Sequence, residues 1–345
     1  LQAHEKDIEK YSGRFSGGWD TLRGERLMRM VDMGILQPDT ELTKRDSTQP
    51  AWDAVSDQAW QERRMEVYAA QVDSMDQGIG RILDTIEGEG ELDNTLILFL
   101  SDNGACAEEI FETFFPYEKP AGEGLAKPLT CRTHTRDGRV MKHGNDPSVM
   151  PGDETTFQSY GVGWANLSNA PFREYKHFVH EGGIATPLIV HWPDGISDQG
   201  TLRHQTGQLM DIMATVVDVS GVDWPTERDE LPVLPNEGKS LKDTFSNDLT
   251  DRPPLAWEHE GNCAYREGKW KLVKRWDREA WELYDMESDR TELHDLSCEF
   301  PKLHEELMEK YQAWADRVGV MEWSRLEALR NAKGIFTDWM PHAHD

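Results

Sequence analysis

Apolar residues recur at steps of three and four through Met65, Tyr68, Val72, Met75, Ile79, Ile82 and Ile86. That spacing predicts a long amphipathic helix with one face on a core, ended by Gly88 and Gly90. The period then changes. Asp93-Asn94 makes a turn, and Thr95 to Leu100 is a continuous apolar run, the pattern of a parallel strand buried on both faces. Helix, turn and strand form an α/β unit. Leu188 to Trp192 predicts a second buried strand. Leu209, Ile212, Met213, Val216 and Val217 predict another amphipathic helix, stopped by Gly221. Upstream, residues 1–58 are polar, with Pro38 and Pro50, and read as short helices and loops. Residues 104–170 are rich in Gly and Pro with no clear period. They read as a long irregular insertion, and long ordered loops in compact domains are usually functional.

The pattern shifts again at Pro253-Pro254, after a proline-marked excursion at Pro225, Pro232 and Pro235. Four short segments follow, at Leu255–His259, Asn262–Arg266, Trp270–Val273 and Trp281–Tyr284. They predict an antiparallel sheet. Pro301 to Val318 predicts a last helix with Leu303, Leu307, Tyr311 and Trp314 on one face. The expected organisation is a larger α/β region over residues 1–248 and a small subdomain, sheet plus packed helix, over 249–345.

With 345 residues and 37% hydrophobic content, the chain can bury a large core. Its net charge of −27 disfavours nucleic acid and anionic membranes as partners, because both are polyanions. No run approaches the roughly 18 apolar residues of a membrane span. Cys106, Cys131, Cys263 and Cys298 lie far apart and form no CxxC pair, which argues against a zinc site and leaves one or two disulfides open.

Three stretches could carry chemistry. Ser101-Asp102-Asn103-Gly104 ends the first apolar run. Its carboxylate and amide oxygens suit Ca²⁺ or Mg²⁺ at the C-terminal end of a strand, though an ordinary Asp-Asn-Gly turn has the same letters. Lys176 precedes Glu181-Gly182-Gly183 and could hold an anionic oxygen; a surface lysine is the alternative. His177 and His180 read as structural or surface histidines, and Glu181 as a brace for the loop. Trp257-Glu258-His259-Glu260-Gly261-Asn262 gathers two carboxylates and an imidazole. A His flanked by Glu can make a metal cluster or proton relay, but strand alternation would put Glu258 and Glu260 on one face and His259 on the other, which argues against one shared site and for a structural role. Asn166-Leu167-Ser168 matches a glycosylation sequon, a pattern that also arises by chance. Trp164 and His134 are guesses for a pocket wall.

In order and spacing, these blocks together resemble the type I sulfatases of the alkaline-phosphatase-like superfamily, closest to its bacterial arylsulfatase branch. The blocks are Glu91–Gly104, Gln158–Gly161, Trp164–Asn166, Ser168–Gly183, Trp257–Asn262, Arg266–Val273 and Trp281–Asp285. The resemblance implies a mixed sheet flanked by helices, incomplete here, with a smaller C-terminal antiparallel sheet plus helix. It implies hydrolysis of a sulfate ester, either a small molecule or a sulfated glycan, through a hydrated formylglycine and a divalent cation, Ca²⁺ rather than Mg²⁺. On that match Asp102 and Asn103 are metal ligands, and Lys176 is the sulfate-binding, catalytic lysine. The family's formylglycine comes from a C/S-x-P-x-R motif, and none occurs in these residues. The family's early Asp pair, companion basic residues and active-site His are also missing, and His4 is not equated with that His. The expectation is therefore a C-terminal portion whose nucleophile segment lies outside the sequence, inactive as it stands. The family implies residence in the periplasm or outside the cell. A phosphoesterase or phosphonate monoester hydrolase of the same superfamily, or a non-catalytic sulfoglycan-binding scaffold, stand as alternatives.

Overall fold

A computed structural model describes residues 1–110, 134–247 and 251–332. Three helices open the chain: α1 (Glu5–Ile8), α2 (Gly18–Asp32) and α3 (Gln58–Gly88). They are followed by β1 (Ile97–Leu100), β2 (Lys142–His143), β3 (Thr156–Phe157), α4 (Gly161–Asn169), α5 (Glu181–Ile184), β4 (Leu188–His191) and α6 (Leu209–Ser220). A two-residue hairpin, β5 (Glu227–Arg228) and β6 (Leu231–Pro232), leads on to β7 (Leu255–His259), β8 (Asn262–Glu267), β9 (Trp270–Lys274), β10 (Glu282–Asp285), α7 (Pro301–Val318) and α8 (Trp323–Ala332). This is an α/β chain with a small C-terminal sheet.

The core of the larger region is aromatic. Trp164 is fully buried and meets Trp19 and Trp52 at ring-centroid distances of 5.4 and 5.5 Å. Its indole N–H donates to the Gln61 carbonyl at 2.8 Å, so the polar edge of a dry ring is satisfied. Trp164 is therefore core, not pocket wall. His134 is exposed and bridges to Val140, away from the residues that line the main cleft. The expected irregular insertion also contains α4, whose Gly163, Trp164, Ala165 and Leu167 are all buried. A short helix buried all round has no polar face and hence no readable period. Asn166, the sequon asparagine, is buried in this helix.

The β1 expectation needs correcting. β1 pairs with β4 in an antiparallel ladder, Ile97 opposite His191 and Leu100 opposite Leu188, rather than in a parallel sheet. Phe99, Leu188 and Ile189 are 40%, 37% and 59% exposed, so neither strand is covered on both faces by the described residues. The expected helix around Met65–Ile86 is present as α3, but its buried side is Trp60, Met65, Val67 and Ala70. The stripes form as read: Met65 and Tyr68 pack on the aromatic core, while Val72, Met75 and Ile82 of α3 and Leu209, Met213 and Val216 of α6 remain exposed and are not buried by the described residues.

The C-terminal sheet has the order β10-β9-β8-β7, all antiparallel. Tyr265, Leu272 and Leu283 on one face pack against Leu307, Tyr311 and Ala315 of α7. Pro301 occupies the first turn of α7, where its missing N–H has no cost, and Gly319 ends it in the left-handed conformation.

Candidate functional site

Two chain segments meet back to back, and glycine makes the meeting possible. A Cβ on Gly104 would lie 1.7 Å from the Gly182 carbonyl oxygen. One on Gly182 would lie 2.1 Å from the Arg173 oxygen, and one on Gly183 2.0 Å from the Phe178 oxygen. In each case the obstacle is backbone, so only glycine fits. The crossing is sewn by main-chain bonds: Gly104 N–H to Gly183 O at 2.9 Å and Lys176 N–H to Ala105 O at 3.0 Å. Asn169 ties both sides, accepting from Ala105 N–H and donating to Glu174 O, each at 2.8 Å. The result is that Asp102 and Asn103, at the exit of β1, share one wide cleft with Lys176.

The segment carrying Lys176 is also anchored to the small sheet by buried charge. Lys271 on β9 is fully buried, and its Nζ lies 2.8 Å from both Glu181 Oε1 and Glu292 Oε1. Burial alone would raise the Glu181 carboxyl, but Lys271 and Arg290 outweigh it and hold the group well below the usual carboxylate range. Glu181 thus sits in a buried ion cluster that braces the segment. His180 is likewise fully buried and meets Glu282 at 3.2 Å, alongside Arg173 at 2.7 Å. Burial opposes ionisation of Glu282, and the His180 and Arg173 contacts reverse that and depress it strongly.

Glu108 was not singled out by the sequence. Its Oε1 accepts from Lys176 Nζ at 3.0 Å and meets His177 Nε2 at 2.9 Å. The His177 hydrogen bond, ahead of the opposing effect of burial and the added contact with Lys176, holds the Glu108 carboxyl at about 2. Burial works against the Lys176 ammonium, but the Glu108 hydrogen bond and nearby negative groups raise its pKa overall. Lys176 is therefore a charged, 37% exposed side chain at the cleft. Cys106 lies nearby, and burial pushes its thiol up; it is a neutral thiol there. Among the described residues no disulfide forms: Cys106, Cys263 and Cys298 are free. Cys131 lies outside the described residues.

The alternation argument for His259 and Glu260 fails. β7 ends at His259, and Glu260-Gly261 forms a two-residue hairpin loop with φ of 51° and 82°, a type I′ geometry. The left-handed backbone at Glu260 breaks the strand period and turns its carboxylate back. His177, His259 and Glu260 consequently come together, with one ligand atom from each within 4.8 Å of the others.

Asp102 and Asn103 offer hard oxygen donors. The Asn103 amide N–H₂ donates to Gly104 O at 2.8 Å, which leaves its carbonyl oxygen for another partner. The donor set fits Ca²⁺ or Mg²⁺ as two of the six or so oxygens such an ion takes.

The sulfatase family profile matches residues 3–222, and a profile described as N-sulphoglucosamine sulphohydrolase, C-terminal, matches residues 173–316. The chain belongs to the sulfatase family. This places it with the type I sulfatases, in the alkaline-phosphatase-like fold class that the sequence resembles. An uncharacterized sulfatase of Schizosaccharomyces pombe is 31% identical over 331 residues, 93% of this chain and 56% of that protein. An arylsulfatase of Klebsiella aerogenes is 30% identical over 244 residues, 70% of this chain and 48% of that protein. A solved structure, BT4656 in complex with its substrate D-glucosamine-2-N,6-O-disulfate, aligns at a TM-score of 0.44 with 21% identity, over 75% of this chain and 42% of that one. The chain spans about half the length of the curated relatives it matches first. No described helix of this chain is long and apolar enough to cross a membrane.

Proposed function

We propose that these residues hold the cation and the sulfate group in an enzyme that hydrolyses sulfate esters. The observation that carries the reading is the glycine crossing, which sets the Asp102-Asn103 oxygens and the Lys176 ammonium in one cleft. Family membership and relatives named as sulfatases support the reaction class. Asp102 and Asn103 would hold Ca²⁺, which when bound offsets negative charge on the sulfate oxygens. Lys176 Nζ holds an anionic sulfate oxygen and stabilises charge as the alcohol leaves. Glu108 keeps that lysine charged and in place. Transfer of the sulfuryl group to water gives an alcohol or phenol and sulfate. The attacking formylglycine hydrate is assigned to residues outside these 345. The substrate class is a sulfate ester, small or glycan-borne, and the site of action the periplasm or the cell exterior.

Calorimetric titration of the 345-residue chain with an aryl sulfate tests this. Binding should need Ca²⁺ and weaken about tenfold or more in Lys176→Ala, the loss of one charge-assisted hydrogen bond, and no product should form. Binding that ignores both Ca²⁺ and Lys176 overturns the proposal. Tighter binding of an aryl phosphate or phosphonate monoester would move the assignment to phosphoester chemistry, and turnover would refute the placement of the nucleophile.

A further inference from the structure

The His177, His259 and Glu260 cluster is used by no step above, and its geometry is that of a metal centre. His177 Nδ1 lies 3.4 Å from Glu260 Oε2, close to the roughly 3.3 Å edge of a tetrahedron of N and O atoms about a zinc-sized ion. The His259 ring stands 5.4 Å from the His177 ring at 79°. His259 is the exposed member, so it has room to turn in.

The other nitrogen of His177 is committed. Its Nε2 meets Glu108 Oε1 at 2.9 Å, and Nδ1 is the ring nitrogen on the Glu260 side. A carboxylate, a histidine and then the ligand position is the usual support of a metal-bound imidazole. The backbone is held to suit. Asn262 is 1% exposed, and its amide donates to the carbonyls of both His177 and His259 at 3.1 Å. His177 and Glu260 both adopt positive φ, 87° and 51°, a conformation that costs free energy at non-glycine residues and gathers at functional sites. His177 and His259 also line the cleft shared with Lys176.

We propose that His177 Nδ1, His259 and Glu260 form a site for a zinc-class divalent cation, braced by Glu108 and open on its fourth side to an oxygen ligand in the cleft. Two imidazoles and one carboxylate select borderline transition ions over Ca²⁺. The site is separate from the Asp102-Asn103 oxygen pair and stands whether or not that pair binds Ca²⁺. It sets positive charge into the cleft of a chain of net charge −27, which suits an anionic ligand.

Titration of the 345-residue chain with Co²⁺, followed by visible absorption and reversed by Zn²⁺, is the test. One equivalent should bind with the intense bands of a four-coordinate ion. His259→Ala should lose at least about a hundredfold in affinity and Glu108→Ala about 10–100-fold, with Asp102→Ala unchanged. His259 is exposed, so that variant is expected to fold, and tryptophan fluorescence checks it. No bound equivalent, or a folded His259→Ala chain that binds like the parent, overturns the proposal. So does binding lost in Asp102→Ala and kept in His259→Ala, which would place the ion at the oxygen pair.

Discussion

Replacing Lys271 with Met would show what holds the Lys176 segment to the small sheet. Lys271 has no exposed side-chain surface, and its ammonium is 2.8 Å from Glu181 and from Glu292, themselves 5% and 0% exposed. Methionine matches the lysine stem in volume and leaves no large cavity, so the loss is electrostatic. Two limits bound it. Removing one partner of a buried ion pair typically costs about 3–5 kcal/mol. The stranded carboxylate can instead take up a proton, which from a usual value of about 4.3 costs roughly 3.7 kcal/mol at pH 7 and about 1 kcal/mol at pH 5. Arg290, 3.4 Å from Glu181, relieves part of this. The expected loss is therefore about 3 kcal/mol at pH 7, shrinking to about a third at pH 5. Urea denaturation of both proteins at the two pH values measures it. A second variant, Lys271→Met with Glu181→Gln and Glu292→Gln, should show no such pH dependence. A deficit below about 1 kcal/mol at pH 7, or one of equal size at both pH values, would refute the reasoning and make Lys271 a packing residue only.

Gly104→Ala should destabilise the chain by at least about 1–3 kcal/mol, because the new methyl meets the Gly182 carbonyl and neither backbone can yield; thermal melting reads it, and a shift under a degree would count against the crossing. Trp164→Ala should cost about 3–5 kcal/mol, measured the same way, since the ring is wholly buried and its N–H is bonded. Glu282 is held below its unfolded pKa, so its contribution is complete above the unfolded value of about 4.3 and is lost as pH falls below that toward its depressed folded value. Stability should fall with acid in that window, and Glu282→Gln should flatten the fall. If the variant's denaturation midpoints track the parent's below pH 4, the Arg173 and His180 contacts carry no such linkage.

How much of this was legible depends on what each signal encodes. The C-terminal sheet and α7 could be read almost to the residue, because Gly261, Gly268, Pro301 and Gly319 punctuate short segments and each segment finds its partner nearby in sequence. The stripes on α3 and α6 were legible as helices, but a stripe encodes only that a face is apolar, not what covers it. Val72, Ile82 and Met213 stand exposed for that reason, and β1 and β4 pair antiparallel with one another. At the site, Asp102, Asn103 and Lys176 were visible as residue types at recognisable spacings. Glu108 was not, since nothing in Ala107-Glu108-Glu109 distinguishes the carboxylate that reaches Lys176 and His177. The His259 and Glu260 error is the most instructive. Alternation holds only while the backbone stays extended, and Glu260 occupies the first position of an I′ turn, where φ changes sign. The Glu-Gly pair between two strand patterns was itself the warning: a two-residue hairpin loop ending in glycine. A chemical residue at such a turn should be placed by the turn's geometry before the strand's period, and here that rule joins His259 and Glu260 to His177.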